Sequence, residues 1–391
     1  MTNLIVGFGT TGKSIQRYLE RNNETFYVYD DFQDIPENLQ FKETNLENIN
    51  RVIISPGIKP DHWILKEAKK LNIQITTDIE IFSKTNNSKL IGVTGTNGKT
   101  SFVYYLSELL NKYGYKSTTA GNIGLSPLEL ENVDKIYDYI IIELSSFQLE
   151  YLNYLDLDIS IITNIFEDHI DWHETFQNYY LAKIKILNFV KNNSDIYIGE
   201  VDGRVVIDNK FKVNKIDKKK YNLENFYDEF VNLMVSLCER FKISEEQVLS
   251  YLNNSKNMEH RFEKFFEKNS TIFINDSKST NFQSVFKATT KVTNSLLILH
   301  GLTKGIDPKT LNLSKNVKEV LVPTYMQDNL NLKNVKFTVY TEFGDLRKLI
   351  NEKYKDYDYV LFSCGGSSFN EFKNYKERGE QFKKLVMELL Q

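Results

Sequence analysis

Three observations predict an α/β protein of three domains. At 391 residues the chain exceeds what one hydrophobic core usually serves. Apolar runs of strand length alternate with helical periodicity along the chain, the pattern of largely parallel sheets covered by helices. Two glycine-rich turns, Gly7 to Gly12 and Gly95 to Gly98, each follow a strand and open a helix. The polar passage Lys84 to Lys89 marks the first boundary, and the expected domains are 1–85, 86–257 and 258–391.

In the first domain Leu4-Ile5-Val6 reads as a strand, Gly7-Phe8-Gly9-Thr10-Thr11-Gly12 as a turn, the residues through Arg21 as a helix, and Thr25 to Tyr29 as a strand ending in Asp30-Asp31. This is a Rossmann-like βαβ unit in which glycines let the backbone approach a diphosphate and Asp30 or Asp31 could accept from a ribose or base. The same turn also reads as purely structural. Strands at Arg51 to Ile54 and Ile73 to Ile75, with a helix from Trp63 to Leu71, complete a small doubly wound sheet.

The second domain opens with the buried strand Leu90 to Thr94, followed by Gly95-Thr96-Asn97-Gly98-Lys99-Thr100 and an amphipathic helix. Backbone N–H groups in such a P-loop converge on phosphate oxygens, and the helix N-terminus adds partial positive charge. Lys99 reaches the outer phosphates and the Thr100 hydroxyl can ligate Mg²⁺, so a nucleoside triphosphate is expected. Val93 stands where the longer pattern has a glycine. The strand Tyr139 to Glu143 ends on a carboxylate, and Ile159 to Asn164 feeds Glu167-Asp168-His169. Glu143 and His169 read either as satisfied polar residues or as Mg²⁺ ligands facing Lys99 and Thr100. Helical stretches follow at Glu174 to Lys191, Leu223 to Phe241 and Glu245 to Leu252.

The third domain, also Rossmann-like, carries strands at Arg261 to Phe266, Thr271 to Asn275, Leu296 to Leu299, Val317 to Val322, Val335 to Tyr340 and Tyr359 to Phe362, in a mostly parallel sheet. Asp276 to Asn281 reads as a helix cap or, beside His260-Arg261, as a set of nucleotide donors, with Arg261 a bidentate phosphate partner. Lys304 and Gly365 to Ser368 lie on polar loops at strand ends.

Composition narrows the function classes. The net charge of −3 leaves no basic field for nucleic acid. Two distant cysteines, Cys238 and Cys364, make neither a disulfide framework nor a metal-binding pair, so a reducing cytoplasm is expected. No run approaches ~20 apolar residues, and the N-terminus lacks a signal-peptide pattern, so neither membrane insertion nor export is expected.

Taken together, the motifs resemble the Mur ligases, ATP-dependent amide-bond-forming enzymes of peptidoglycan synthesis. The resemblance spans nearly the whole chain, through Gly7 to Gly12, Ser55 to Ile58, Asp78-Ile79-Glu80, Gly95 to Thr100, Gly121-Asn122-Ile123-Gly124, Glu143 to Glu150, Glu167 to His169, Tyr180 to Lys183, His260 to Glu263, Asn275 to Asn281 and Phe372 to Gly379. It implies that ATP phosphorylates the carboxylate of UDP-N-acetylmuramoyl-L-alanine and that the amine of D-glutamate attacks the acyl phosphate. It implies ATP contacts from Gly95, Thr96, Asn97, Gly98, Lys99, Thr100, Asn225, Arg261, Asp276 and Lys278, and UDP-substrate contacts from Thr10, Thr11, Asp30, Asp31, Asn122 and Ser145. It places Thr280, Lys304, Ser368 and Tyr375 around D-glutamate. Two Mg²⁺ sites are implied, with Thr100 and Glu143 at one, His169 at the other, and Lys183 carrying a CO₂-derived carbamate. A monomer is expected. The chain departs from the family pattern at His300 to Lys304, Cys364 to Ser368 and Tyr221. The alternatives are another amino-acid-adding or folylpolyglutamate-type ligase, which the string Glu143 to Glu150 disfavours, and an NAD(P)-dependent oxidoreductase, which leaves Lys99 and Thr100 unexplained.

Overall fold

The computed structural model describes residues 1–390 apart from 43–44, 123, 131–135, 329, 331 and 333–334, with only the backbone described at 390. Ile123 of the Gly121 to Gly124 motif therefore lies outside the described residues. Contacts divide the chain into two compact units, Met1–Ile165 with Gln177–Asn254, and Phe166–Phe176 with Ser255–Gln391. Among the described residues, three sheets carry the fold. No helix among the described residues is long and apolar enough to cross a membrane.

The first unit holds two of the sheets. Strands β1 (Thr2–Val6), β2 (Thr25–Tyr29), β3 (Arg51–Ile54) and β4 (Gln74–Thr76) form a parallel sheet in the order β2-β1-β3-β4, with helices α1 (Thr10–Arg21), α2 (Trp63–Lys70) and α3 (Asp78–Thr85). Leu4, Val6, Val52 and Ile54 pack against Ile64, Leu65 and Ala68 of α2, which fixes the helix on that face. Glu80 of α3 accepts from the Thr76 hydroxyl at 2.6 Å and from Tyr154 N at 3.1 Å, so the Asp78-Ile79-Glu80 motif braces the chain across a long sequence separation.

The second sheet runs β10-β9-β8-β5-β7-β6 and is wholly parallel. Its strands are β5 (Lys89–Thr94), β6 (Ser117–Gly121), β7 (Tyr139–Glu143), β8 (Ile159–Ile165), β9 (Ile196–Val201) and β10 (Val213–Asn214), with helices α4 (Lys99–Lys112), α5 (Ser146–Tyr151), α7 (Phe176–Ile184), α8 (Asp228–Cys238) and α9 (Glu245–Asn253), while α6 (Ile170–His173) belongs to the second unit. Ile91, Val93, Ile140, Ile142 and Ile161 are fully buried, as continuous apolar strands of a two-faced parallel sheet must be. The expected helix Glu174 to Lys191 is divided: Glu174 has a left-handed φ of +67°, and a 3₁₀ turn at Lys185–Phe189 follows α7. The expected helix from Leu223 starts only at Asp228, whose carboxylate instead accepts from the amides of Tyr221 and Asn222 at 2.9 and 3.2 Å.

The third sheet, in the second unit, runs β11-β12-β16-β13-β14-β15. Its strands are β11 (Glu263–Lys268), β12 (Thr271–Asp276), β13 (Ser295–His300), β14 (Val317–Pro323), β15 (Lys336–Tyr340) and β16 (Tyr359–Gly365). Its helices are α10 (Phe282–Thr290), α11 (Thr324–Gln327), α12 (Leu346–Lys353) and α13 (Tyr375–Leu390). The β11–β12 pair is antiparallel because only Asn269-Ser270, both left-handed, separates the strands. β11 starts two residues later than the sequence suggests, since φ values of +62° at His260 and +49° at Phe262 break the extended backbone. Cys238 and Cys364 are buried free thiols.

Candidate functional site

The phosphate-loop geometry follows from two glycines. Gly98 caps α4 at φ +77°, and a Cβ on Gly95 would stand 1.9 Å from Thr163 Oγ1. Val93 is buried in β5, opposite Glu143 in the β7 register, so the turn begins only after this position. Residues outside the motif brace the loop. The Asn164 side chain exchanges two bonds with the Asn97 backbone, accepting from N at 2.8 Å and donating to O at 2.9 Å, and Thr163 Oγ1 also donates to Asn97 O at 2.8 Å. The Asn164 carbonyl accepts from Thr96 N at 2.9 Å, and the Thr96 and Tyr179 hydroxyls lie 2.9 Å apart.

Two lysine amines meet at the Gly95 carbonyl. Lys99 Nζ donates to it at 2.6 Å and to Thr96 O at 3.1 Å, while Lys183 Nζ donates to it at 2.8 Å. Lys183 is buried and its amine lies 4.8 Å from the Tyr179 ring centroid. The two amines therefore share one backbone acceptor. Thr100 lies buried in the first turn of α4.

Glu143 ends β7 and is buried. Its Oε1 accepts from Asn122 Nδ2 at 2.9 Å, and its Oε2 is buried without a hydrogen-bond partner. A buried carboxylate oxygen in that state is costly unless a cation or donor completes it. Gly121 and Asn122 wrap the residue: a Cβ on Gly121 would stand 2.3 Å from Glu143 O, and Asn122 N donates to that oxygen at 2.9 Å. Ser145 caps α5, accepting from Gln148 N at 3.2 Å and donating to Gln148 Oε1 at 3.0 Å. Asn225 is half-buried in the chain preceding α8.

In the N-terminal βαβ unit, Gly7 has a φ of +92° and a Cβ on Gly12 would stand 2.1 Å from Gly7 O, the close turn-to-helix packing of a diphosphate-binding loop. Thr10 and Thr11 open α1 at the surface. Asp30 is committed to shaping this turn: its carboxylate accepts from the amides of Phe8 at 2.6 Å and of Phe32 and Gln33 at 2.9 Å. Burial raises its pKa, but these amides outweigh burial and hold it below the usual carboxylate range. Asp31 accepts from the Tyr29 hydroxyl at 3.0 Å and faces His62 Nε2 at 3.2 Å.

The expected metal ligands are divided between the units, Thr100, Glu143 and Lys183 in the first and His169 in the second. His169 is left-handed at φ +53°. Beside it Asp168 is ion-paired with Lys304 and accepts from Asn281 Nδ2 at 3.1 Å. Burial pushes the Asp168 carboxyl up, yet Lys304, His169 and Asn281 together hold it well below its ordinary range. Lys304 thus has a protein carboxylate as its partner, where the sequence suggested only that of a bound amino acid. Asp276 accepts from Phe262 N at 3.0 Å and Ser363 Oγ at 2.8 Å, and burial pushes its carboxyl up to about 7. Lys278 lies 4.3 Å from the Tyr375 ring centroid, which brings two expected site residues together. Leu302 and Ser367 exchange backbone bonds of 3.0 and 2.7 Å, joining the loops of Lys304 and buried Ser368. Arg261 and Thr280 are half-buried on the segments flanking β11 and β12.

Sequence reasoning missed Asn164, Thr163 and Tyr179 as loop braces and Asp168 as the Lys304 partner. Both Asn164 and Asp168 stand at or beyond the end of a buried strand, which is the signal that marks Glu143.

The chain has known relatives across nearly its whole length. The Mur ligase middle domain matches residues 93–297, and the Mur ligase MurD-like N-terminal domain matches residues 1–77. A UDP-N-acetylmuramoylalanine–D-glutamate ligase of Fusobacterium nucleatum is 33% identical, over 99% of this chain and 99% of its own length. The enzyme of that name from Francisella philomiragia is 31% identical, over 99% of this chain and 96% of its own. The MurF ligase of Thermotoga maritima, solved with ADP, superimposes with a TM-score of 0.59 at 15% identity, covering 99% of this chain and 94% of its own, which shows a shared fold. The chain belongs to the Mur ligase family.

Proposed function

We propose that this chain joins D-glutamate to UDP-N-acetylmuramoyl-L-alanine at the expense of ATP, through an acyl phosphate, in the cytoplasmic stage of peptidoglycan synthesis, and that it acts as a monomer. The observation that carries the reading is identity of 31% and 33%, across 99% of the chain, to two ligases named for that product. Mur ligases are ATP-dependent amide-bond-forming enzymes, and the braced loop from Gly95 to Thr100 is the part of this chain suited to the triphosphate.

In this reading the loop amides and Lys99 orient the transferred phosphoryl group and offset its charge, so that catalysis is chiefly positioning and electrostatics. Thr10, Thr11, Asp30 and Asp31 serve the uridine diphosphate. Asn122 and Ser145 serve the remainder of the donor substrate. Asn225, Arg261, Asp276 and Lys278 are the further residues assigned to ATP, and Thr280, Lys304, Ser368 and Tyr375 hold D-glutamate, with Lys304 exchanging Asp168 for a substrate carboxylate. The residues suited to magnesium are Thr100 and Glu143 at one site and His169 at a second. A Mg²⁺ held there would supply charge neutralisation at the reacting phosphate. The unpartnered Glu143 Oε2 supports the first site. Convergence of two amines on Gly95 O supports a carbamate on Lys183, whose remaining N–H can keep that bond while its oxygens answer the Lys99 charge.

Phosphate release, measured with UDP-N-acetylmuramoyl-L-alanine while D-glutamate, L-glutamate, L-lysine and meso-diaminopimelate are varied, tests the assignment. D-Glutamate is expected to support turnover. Preference for L-lysine or meso-diaminopimelate overturns it.

A further inference from the structure

The acceptor and ATP residues Lys278, Lys304 and Ser368 occupy three separate loops, following β12, β13 and β16. One side chain binds all three loops from behind. Arg378, in the first turn of α13, is completely buried. Its Nε donates to Ser277 Oγ at 3.0 Å and its Nη2 to Ser277 O at 2.7 Å, while Nη1 donates to His300 O at 3.2 Å and Gly366 O at 3.0 Å. These partners are the neighbour of Lys278, the last residue of β13 and the residue just after β16. The packing leaves no slack: a Cβ on Gly301 would stand 2.1 Å from Ser367 O and 2.7 Å from Arg378 Nη1.

A guanidinium is a rigid planar fork, so bonds from its three nitrogens fix the three loops relative to one another, and an ammonium cannot reproduce that geometry. These bonds go to carbonyls and a hydroxyl, while the guanidinium charge also acts on the carboxyls of Asp276 and Glu371. We infer that Arg378 is a positioning residue of the acceptor site, setting the three loops in register. The inference rests on the D-glutamate reading above.

The test uses full-length Arg378→Lys and Arg378→Met, each checked by thermal melting. Two readouts separate positioning from general damage: hydroxylamine trapping of the acyl phosphate from ATP and donor without amino acid, and KM for D-glutamate in the complete reaction. Trapping is expected to fall less than the use of D-glutamate, because two of the three loops carry acceptor residues and one carries Lys278. KM for D-glutamate is expected to rise by about 10-fold or more, because a shift near 1 Å in such a site is costly. A folded variant with unchanged D-glutamate KM overturns the inference, as does one that loses trapping to the same degree. Failure of both variants to fold also rejects it, making Arg378 a determinant of folding alone. A wild-type enzyme that traps acyl phosphate but ignores D-glutamate instead refutes the functional reading.

Discussion

Replacing Asn164 with alanine removes two hydrogen bonds of 2.8 and 2.9 Å that hold the Asn97 peptide in the phosphate loop. Each bond contributes about 0.5–1.5 kcal/mol net, and the site is only partly buried, so water meets part of the lost demand. The sum is about 1–3 kcal/mol in favour of a disordered loop. Since the loop must be ordered to bind triphosphate, that cost falls on ATP affinity, and KM for ATP is expected to rise about 5- to 150-fold. Asn164→Asp keeps the acceptor for Asn97 N but adds a negative charge beside the phosphates, so it should fall lower still. Phosphate release against ATP concentration, with a thermal melt of each protein, gives the answer. An ATP KM for Asn164→Ala within about twofold of wild type refutes the claim that this pair pre-organises the loop.

Lys99→Ala should lower turnover by about 10²–10³-fold or more in the same assay, because it removes the charge nearest the transferred phosphoryl group. Gly95→Ala should be inactive with ATP binding lost in calorimetry, since its Cβ would stand 1.9 Å from Thr163 Oγ1. Lys183→Ala should be severely impaired and partly restored by a short-chain carboxylic acid that supplies the missing anion; full activity without additive removes the carbamate role. Glu319 is a structural case: fully buried, it accepts from Lys336 and Lys353 at 2.6 and 2.7 Å, and although burial raises its pKa, these bonds with Thr338 and Tyr357 hold it at about 2. A carboxyl depressed in the folded state stabilises above its unfolded pKa, and this contribution is lost as pH falls from about 4.5 toward about 2. Glu319→Gln should therefore cost about 3 kcal/mol in urea unfolding at pH 7, and the gap to wild type should narrow at pH 3.

The legible parts of this molecule are those whose physics is local. A buried strand, a glycine turn and a Lys-Thr pair are consecutive in sequence, so the strand–turn–helix of the phosphate loop could be read directly. The braces could not: Asn97 meets Asn164 across 67 residues, and Thr96 meets Tyr179 across 83. A side chain bonding to a remote backbone leaves no periodicity behind. The antiparallel β11–β12 pair was readable in principle from the two-residue Asn269-Ser270 connection, which is too short for a parallel crossover.

Lys183 shows why burial and electrostatics must be weighed together. Spacing alone makes it a solvated helix lysine, yet its side chain is buried and shares the Gly95 carbonyl with Lys99. Like charges a few ångströms apart repel, and an anion beside them relieves that repulsion. Such an anion can come from the triphosphate that Lys99 is placed to meet or, under the proposal above, from a carbamate on Lys183. The proposed carbamate would have one advantage: it would be in place before the nucleotide arrives, removing a competing cation and leaving Lys99 free to exchange Gly95 O for a phosphate oxygen. On this argument the burial of Lys183 is part of how the loop is prepared for ATP.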